Sequence, residues 1–271
     1  MIGLLHPGQM GAAIGAQLVE AGHSVLWCRA GRSTATERRA GEAGLRGVDT
    51  LAELQASCEV LLSICPPAAA SDLAGSVAGF GGIYVEANAI SPHRMIGIDK
   101  LFESVVDASI IGPPPHAERS ARLYLSGPAP AVQRVHGLFV GTRVEPVALG
   151  ERIGDASALK MAFGSYNKAS HALAAVSHAL AEHYGVGAAL LAEAGLESGG
   201  ALGKPHRLPS VAARAWRWGP EMLEAAESFA ALGLPPDLAV AAAAVFDRWD
   251  ADKDDHDLEL AEALRHLRRD G

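Results

Sequence analysis

The 271-residue sequence has only three cysteines, no apolar run approaching the ~20 residues that span a bilayer, and no basic block long enough to follow a phosphate backbone. Cys28, Cys58 and Cys65 are odd in number, lack metal-like spacing and lie at or near the ends of apolar runs, where thiols serve as small buried apolar groups. This argues against a disulfide framework and for a reduced, cytoplasmic setting. The 11 histidines are dispersed and none pairs with a carboxylate at H-E-x-x-H spacing, so no metal is expected. No charged segment precedes an apolar one at the start, so no export signal is expected. With 23 basic against 31 acidic residues the formal charge is -8, and neither nucleic acid nor a membrane is an expected partner.

Apolar residues are plentiful, at 49%, which is ample for a buried core. The stretch that organises the chain is Met1 to Ser24. A short apolar run, Ile2 to Leu5, leads into a turn with Gly8 and Gly11, and a helical pattern then runs to Ala21-Gly22. Strand, tight turn and helix together make an anion site, because glycines let the backbone approach a pyrophosphate and the helix N-terminus meets its charge. The match to G-x-G-x-x-G is incomplete: His6 occupies the first glycine position, and Pro7 restricts it to extended geometry.

Apolar strands then alternate with helical stretches as far as Arg143 to Ala148, including Pro67 to Ala78 read as one helix. That pattern predicts an α/β domain over residues 1–150, a doubly wound parallel sheet of the Rossmann type covered on both faces. Ligands of such sheets sit at the carboxyl ends of the strands. The short motifs fall there: His6-Pro7-Gly8-Gln9-Met10-Gly11, Cys28 to Ser33, Cys65-Pro66-Pro67, and Asn88 to Pro92. From residue 151 to 271 the β-branched runs disappear, and Ala-rich helices broken at Gly185, Gly199-Gly200, Pro205 and Pro235-Pro236 predict an all-helical second domain. Its first helix, about Ala156 to Tyr184, would be roughly 40 Å long at 1.5 Å per residue. A lobe that small leaves apolar surface uncovered, so a homodimer through these helices is expected. The charged end, 252–271, reads as frayed or as a solvated helix.

About 20 residues beyond the glycine turn, an NAD-specific unit places an acid on the ribose 2′-hydroxyl. Here that place holds Cys28-Arg29-Ala30-Gly31-Arg32-Ser33. Two arginines and a hydroxyl suit a 2′-phosphate, and the expected cofactor is NADP(H).

Taken together, GLLHPGQMG, ICPP, NAISP, IIGPPP, LYLSGP, SALKM and AWRWGPEM resemble the β-hydroxyacid dehydrogenase and 6-phosphogluconate dehydrogenase superfamily, in the branch carrying DUF1932. The resemblance implies a dimerising helical domain and an interdomain cleft where hydride passes between a nicotinamide and a small substrate. Lys160 falls on the lysine that serves as general acid/base in better-known members. A lysine partly desolvated there can protonate an incoming carbonyl oxygen. Three places depart from the pattern. Gly164 stands where those enzymes have Asn, Ile111-Gly112-Pro113 where they have Ser-Gly-Gly, and Pro220-Glu221 where they have Lys-Asp.

Losing these anchors makes a simple 3-hydroxy acid a poor substrate and the substrate end less polar. Asn88, Ser91 and Gly112 are the strand-end candidates for substrate contact. Tyr166, Asn167 and His171 return near one helix face after Lys160, and Trp216 is a candidate aromatic wall. The expectation is an NADPH-dependent oxidoreductase acting on a small carbonyl or hydroxy acid; C=N reduction and a non-catalytic NADP-binding module are the alternatives.

Overall fold

In the computed structural model, which describes residues 1–196 and 200–268, the apolar runs form one eight-stranded sheet. Its strands are β1 (Ile2–Leu4), β2 (Val25–Cys28), β3 (Arg46–Val48), β4 (Val60–Ser63), β5 (Ile83–Glu86), β6 (Val105–Ile111), β7 (Ala121–Ser126) and β8 (Val144–Gly150), in the order β3-β2-β1-β4-β5-β6-β7-β8. From β3 to β6 every pairing is parallel, and β1, β2, β4 and β6 are buried at every position. Strands covered on both faces must be apolar throughout, which is why these runs do not alternate.

The expected all-parallel sheet needs one correction. β7 runs antiparallel to β6, and β8 is parallel to β7. The connection from Gly112 to Ser120 is too short for a crossover helix, so the chain can only turn back. β7 accordingly alternates where it meets solvent, with Arg122 exposed between buried Ala121 and Leu123.

The covering helices are α1 (Gln9–Glu20), α2 (Thr34–Glu42), α3 (Leu51–Ser57), α4 (Ala70–Gly75), α5 (Pro92–Asp99) and α6 (Ala129–Phe139). Ser33, Thr50 and Ser91 each accept a backbone N–H at the start of α2, α3 and α5, which satisfies donors that a helix leaves orphaned. The helix expected over Pro67 to Ala78 is instead a 3-10 turn, Pro67–Ala69, followed by the short α4. Pro67 fits the first turn because its missing N–H is not needed there.

The chain divides into two compact units, Met1–Lys160 and Met161–Gly271, and the division falls within α7 (Asp155–His183). Beyond β8 every element among the described residues is helical: α7, α8 (Gly187–Leu196), α9 (Leu208–Ala212), α10 (Ala215–Ala231), α11 (Asp237–Phe246) and α12 (Leu260–His266), with short 3-10 turns between. In the second unit, buried alanines on α10 and α11 allow close approach, and Phe246 and Trp249 close the core. Trp249 Nε1 donates to the Ala263 carbonyl at 2.8 Å, so the buried indole is satisfied. The break expected at Gly199-Gly200 touches Gly199, which lies outside the described residues; the charged end forms α12, and 269–271 lie outside them too.

Candidate cofactor and catalytic site

The sheet changes direction at β1: β2 and β3 extend one way and β4 the other. The turn after β1 therefore opens at the carboxyl edge, at the switch point where such sheets take ligands. Gly8 is the residue before α1, with φ -68° and ψ -171°; it has no side chain to cap the helix, and the first turn has no acid. A Cβ on Gly11 would run into the His6 carbonyl oxygen, and one on Gly15 would lie 2.9 Å from a Leu45 methyl. Glycine is required at Gly11, where the atom met is turn backbone; at Gly15 the Leu45 side chain would have to give way. Pro7 is buried, Met10 packs against the core, and Gln9 is exposed.

Arginines cover this turn. Arg32 Nη1 donates to His6 Nδ1 at 2.9 Å and Nη2 to the Leu5 carbonyl at 2.9 Å. A guanidinium only donates, so His6 Nδ1 is the acceptor and a neutral ring carries its proton on Nε2. Burial, then the charges of Arg32 and Arg39, hold the His6 pKa below its usual value. Arg32 Nε is buried with no partner, and Arg39 Nη1 reaches the Pro7 carbonyl at 3.3 Å. Arg29 stands further out, donating to the Gly47 carbonyl at 2.9 Å, 4.0 Å from Asp49. Ser33 caps α2, and the buried Cys28 thiol points to the Asp49 carbonyl at 3.8 Å. Of the two arginines expected on a 2′-phosphate, Arg32 is thus laid over the glycine turn and Arg29 stands at the strand end.

Asn88 fastens the next two strand ends together. Its Oδ1 accepts from the Cys65 N–H, its Nδ2 donates to Ser63 Oγ at 2.9 Å, and its own N–H donates to Glu86 Oε1 at 3.0 Å. Both side-chain ends are thereby engaged in shaping the Cys65-Pro66-Pro67 turn. Glu86 is fully buried and also accepts from the Tyr84 hydroxyl at 3.0 Å. Burial raises its pKa to about 7. The Cys65 thiol is pushed up to about 12, by burial first and then by Glu86, so it is not a thiolate near neutrality. Ser91 Oγ accepts from the Arg94 N–H at the start of α5.

Lys160 is placed by the way α7 is anchored. Asp107, fully buried in β6, accepts from the N–H of Gly154 at 3.0 Å, the N–H of Ser157 at 3.0 Å, Ser157 Oγ at 2.7 Å and Ser126 Oγ at 3.1 Å. Ser109 Oγ donates to the Ala156 carbonyl at 2.7 Å, and Ser126 Oγ accepts from Ala156 N at 3.1 Å. A carboxylate at a helix start is favoured by the dipole, though burial outweighs the hydrogen bonds and raises the Asp107 pKa. One and a half turns on, Lys160 Nζ donates to the Ile110 carbonyl at 2.7 Å, at the carboxyl end of β6. Gly112 follows with φ +135°, where a Cβ would sit 3.0 Å from Ala121 Cα.

In the second unit, Tyr166 is 76% exposed, and the Asn167 carbonyl accepts from His171 Nδ1 at 2.7 Å. His171 meets Trp218 edge-on at 5.6 Å. Trp216 donates to Asp254 at 3.3 Å. Lys168, 9% exposed, pairs with Glu221 at 2.7 Å. Asp107, Glu86 and Arg39 were not singled out from the sequence. The first two carry a signal: each is a lone carboxylate inside an otherwise apolar strand, and a buried charge needs a task or a partner. A cavity of about 620 Å³ lined by Ala52, Cys58, Glu59, Phe80 and Gly82 lies at the amino ends of β4 and β5, the opposite edge from these turns.

Comparison with known proteins places this geometry. Residues 181–249 match DUF1932, a domain of unknown function. An uncharacterized 28.5 kDa protein of Methanothermus fervidus is 30% identical over 154 residues, an alignment spanning 55% of this chain and 58% of the relative's own length. A conserved protein of unknown function, described as structurally similar to 3-hydroxyacid dehydrogenases, is 25% identical with a TM-score of 0.72, over 98% of this chain and 99% of its own. Mycobacterium tuberculosis 3-hydroxyisobutyrate dehydrogenase with L-serine is 17% identical with a TM-score of 0.73, over 98% of each chain. A reductive aminase of Aspergillus terreus in complex with NADPH and ethyl levulinate is 17% identical with a TM-score of 0.57, over 98% of this chain and 99% of its own. Residues 181–249 thus carry the DUF1932 match, and the chain shares the fold of 3-hydroxyacid dehydrogenases.

Proposed function

We propose that the protein is an NADPH-dependent oxidoreductase acting on a small carbonyl or hydroxy acid, with Lys160 as its general acid/base. The observation that carries the reading is what gathers at one edge of one sheet. There an uncapped helix start lies beside a buried, unpartnered Arg32 Nε, and Lys160 is fastened at the end of β6. These residues suit a dinucleotide. The free N–H groups of α1 and Arg32 Nε offer donors to a pyrophosphate, and Arg29, half-exposed at the strand end, suits a 2′-phosphate. Asn88 holds the Cys65-Pro66-Pro67 turn in shape beside them. The bound nicotinamide supplies or accepts the hydride. Lys160 Nζ donates its proton to the substrate oxygen as charge develops there, and takes it back in the reverse direction.

The change from Ser-Gly-Gly to Ile111-Gly112-Pro113 removes a hydroxyl and favours C=N reduction as a second reading. The exposed apolar residues of α7, among them Leu173, Val176 and Leu180, support a homodimer through the helical unit. Calorimetric titration with NADPH and with NADH tests the cofactor, and NADPH is expected to bind far more tightly. Lys160→Met is expected to keep NADPH binding and lose turnover on whichever of a keto-acid and cyclic-imine panel the protein reduces. Unchanged turnover would remove Lys160 from the reaction, and no binding of either nucleotide would leave the fold without its oxidoreductase role.

A further inference from the structure

The segment Ala215-Trp216-Arg217-Trp218 opens α10 with two aromatic rings, and each carries a guanidinium. Arg214 lies 5.6 Å from the centre of the Trp218 ring and Arg217 5.6 Å from that of Trp216. Lys253 sits 4.2 Å over Trp216, and Lys168 5.8 Å from Trp218. Lys168 is answered by Glu221 at 2.7 Å. The two arginines are not answered. Among the described residues neither side chain forms a hydrogen bond or ion pair, and the Nε of each is buried without a partner. Burial, then the charges of Arg217 and Arg207, pushes the Arg214 pKa down; no carboxylate opposes them. Asp254, the nearest acid to Trp216 that is recorded, accepts from the indole N–H instead.

Two half-buried like charges with no counter-ion among the described residues are costly unless something outside the chain supplies the opposite sign. A guanidinium packed within 5.6 Å of an indole ring centre is also partly ordered, so less side-chain freedom is lost when an anion arrives. We infer that the Arg214 and Arg217 pair of the second unit is a receptor for the oxyanion group of a small molecule, a carboxylate or a phosphate. A chain with formal charge -8 and no long basic block does not suit a polyanion, which favours a single compact group.

Trp216 and Trp218 provide the readout. The full-length protein without NADPH is titrated with inorganic phosphate and separately with malonate, against sodium chloride at matched ionic strength, following tryptophan fluorescence. A saturable change is expected with one of the two oxyanions and not with chloride, and the one that saturates at lower concentration identifies the group. Arg214→Gln and Arg217→Gln should weaken it about tenfold or more, whereas Arg32→Ala, in the glycine turn, should leave it intact. Arg217→Lys keeps the charge but not the fork and should also bind about tenfold more weakly; it serves if the glutamine variants do not fold. NADPH titration of the Arg214 and Arg217 variants should be unchanged, so loss of either binding event is read separately. No saturable response beyond that of chloride, or an equal response in all arginine variants, would overturn the inference. So would a dimer-to-monomer change on Arg214→Gln without any anion response, since the arginines would then meet a second copy of the chain.

Discussion

Raising the pH toward neutrality is expected to destabilise the protein at one buried carboxyl. Glu86 has no solvent exposure, and burial lifts its pKa from the usual 4.5 to about 7. In the unfolded chain the group ionises above about 4.3, while in the folded chain it keeps its proton until neutrality. Between those values the native state binds more protons, so stability is fully present at low pH and falls as pH rises to about 7. At about 1.4 kcal/mol per unit, the shift is worth about 3 kcal/mol. Glu86→Gln isolates this contribution. Its Oε1 can accept from Asn88 N and its Nε2 can donate to the Tyr84 oxygen, so both contacts survive in a group that never ionises. Asp107, the register partner of Glu86 on β6 and itself raised by burial, is common to both proteins and cancels in the comparison unless the two couple. Urea unfolding of both proteins at pH 5 and pH 8 is the assay. The variant is expected to gain about 2–3 kcal/mol on the wild type between those pH values, and to be the more stable protein at pH 8. An equal difference at both pH values would refute the claim that Glu86 carries its proton in the fold.

Three further outcomes follow from the same unit. Asp107→Ala leaves the N–H groups of Gly154 and Ser157 and two serine hydroxyls without their acceptor; a loss of about 3–4 kcal/mol, or roughly 10 °C by calorimetry, is expected. Melting within 2 °C of wild type would mean the start of α7 does not depend on that carboxylate. Gly11→Ala drives a methyl into the His6 carbonyl, and should cost about 1–3 kcal/mol and weaken NADPH about tenfold or more; unaltered calorimetric affinity would separate the turn from the nucleotide. Arg29→Ala combined with Arg32→Ala should weaken NADPH more than NADH, because only the former carries the 2′-phosphate; equal weakening would show that the arginines serve the turn alone.

What the sequence makes legible here is what is decided locally. Gly11 reports the close start of α1 on the turn because a Cβ would collide with the His6 carbonyl five residues back, and Ser33, Thr50 and Ser91 mark helix starts because a cap is satisfied three residues on. The reversal of β7 follows from a connection too short for a helix, yet an apolar strand looks the same in either direction until its neighbour is known. The bonds that place the candidate chemistry are of the non-local kind. Arg32 acts on His6, Asn88 on Ser63 and Cys65, and Asp107 on Gly154 and Ser157, each across at least 20 residues. For that reason Arg32 reads from the sequence as a residue for the 2′-phosphate, whereas two of its donors are spent on the turn that would receive the pyrophosphate. Asp107 shows the same limit from the other side. Its isolation in SVVDASII marks it as a charge that must be paired, but nothing in that strand says the partner is the first turn of a helix nearly 50 residues later. Lys160 can be found by its position on α7, and in the proposed reaction it would act only where Asp107 has fixed the start of that helix. The two residues are therefore one device: substitution of either should remove turnover, but only Asp107→Ala should also lower the melting temperature.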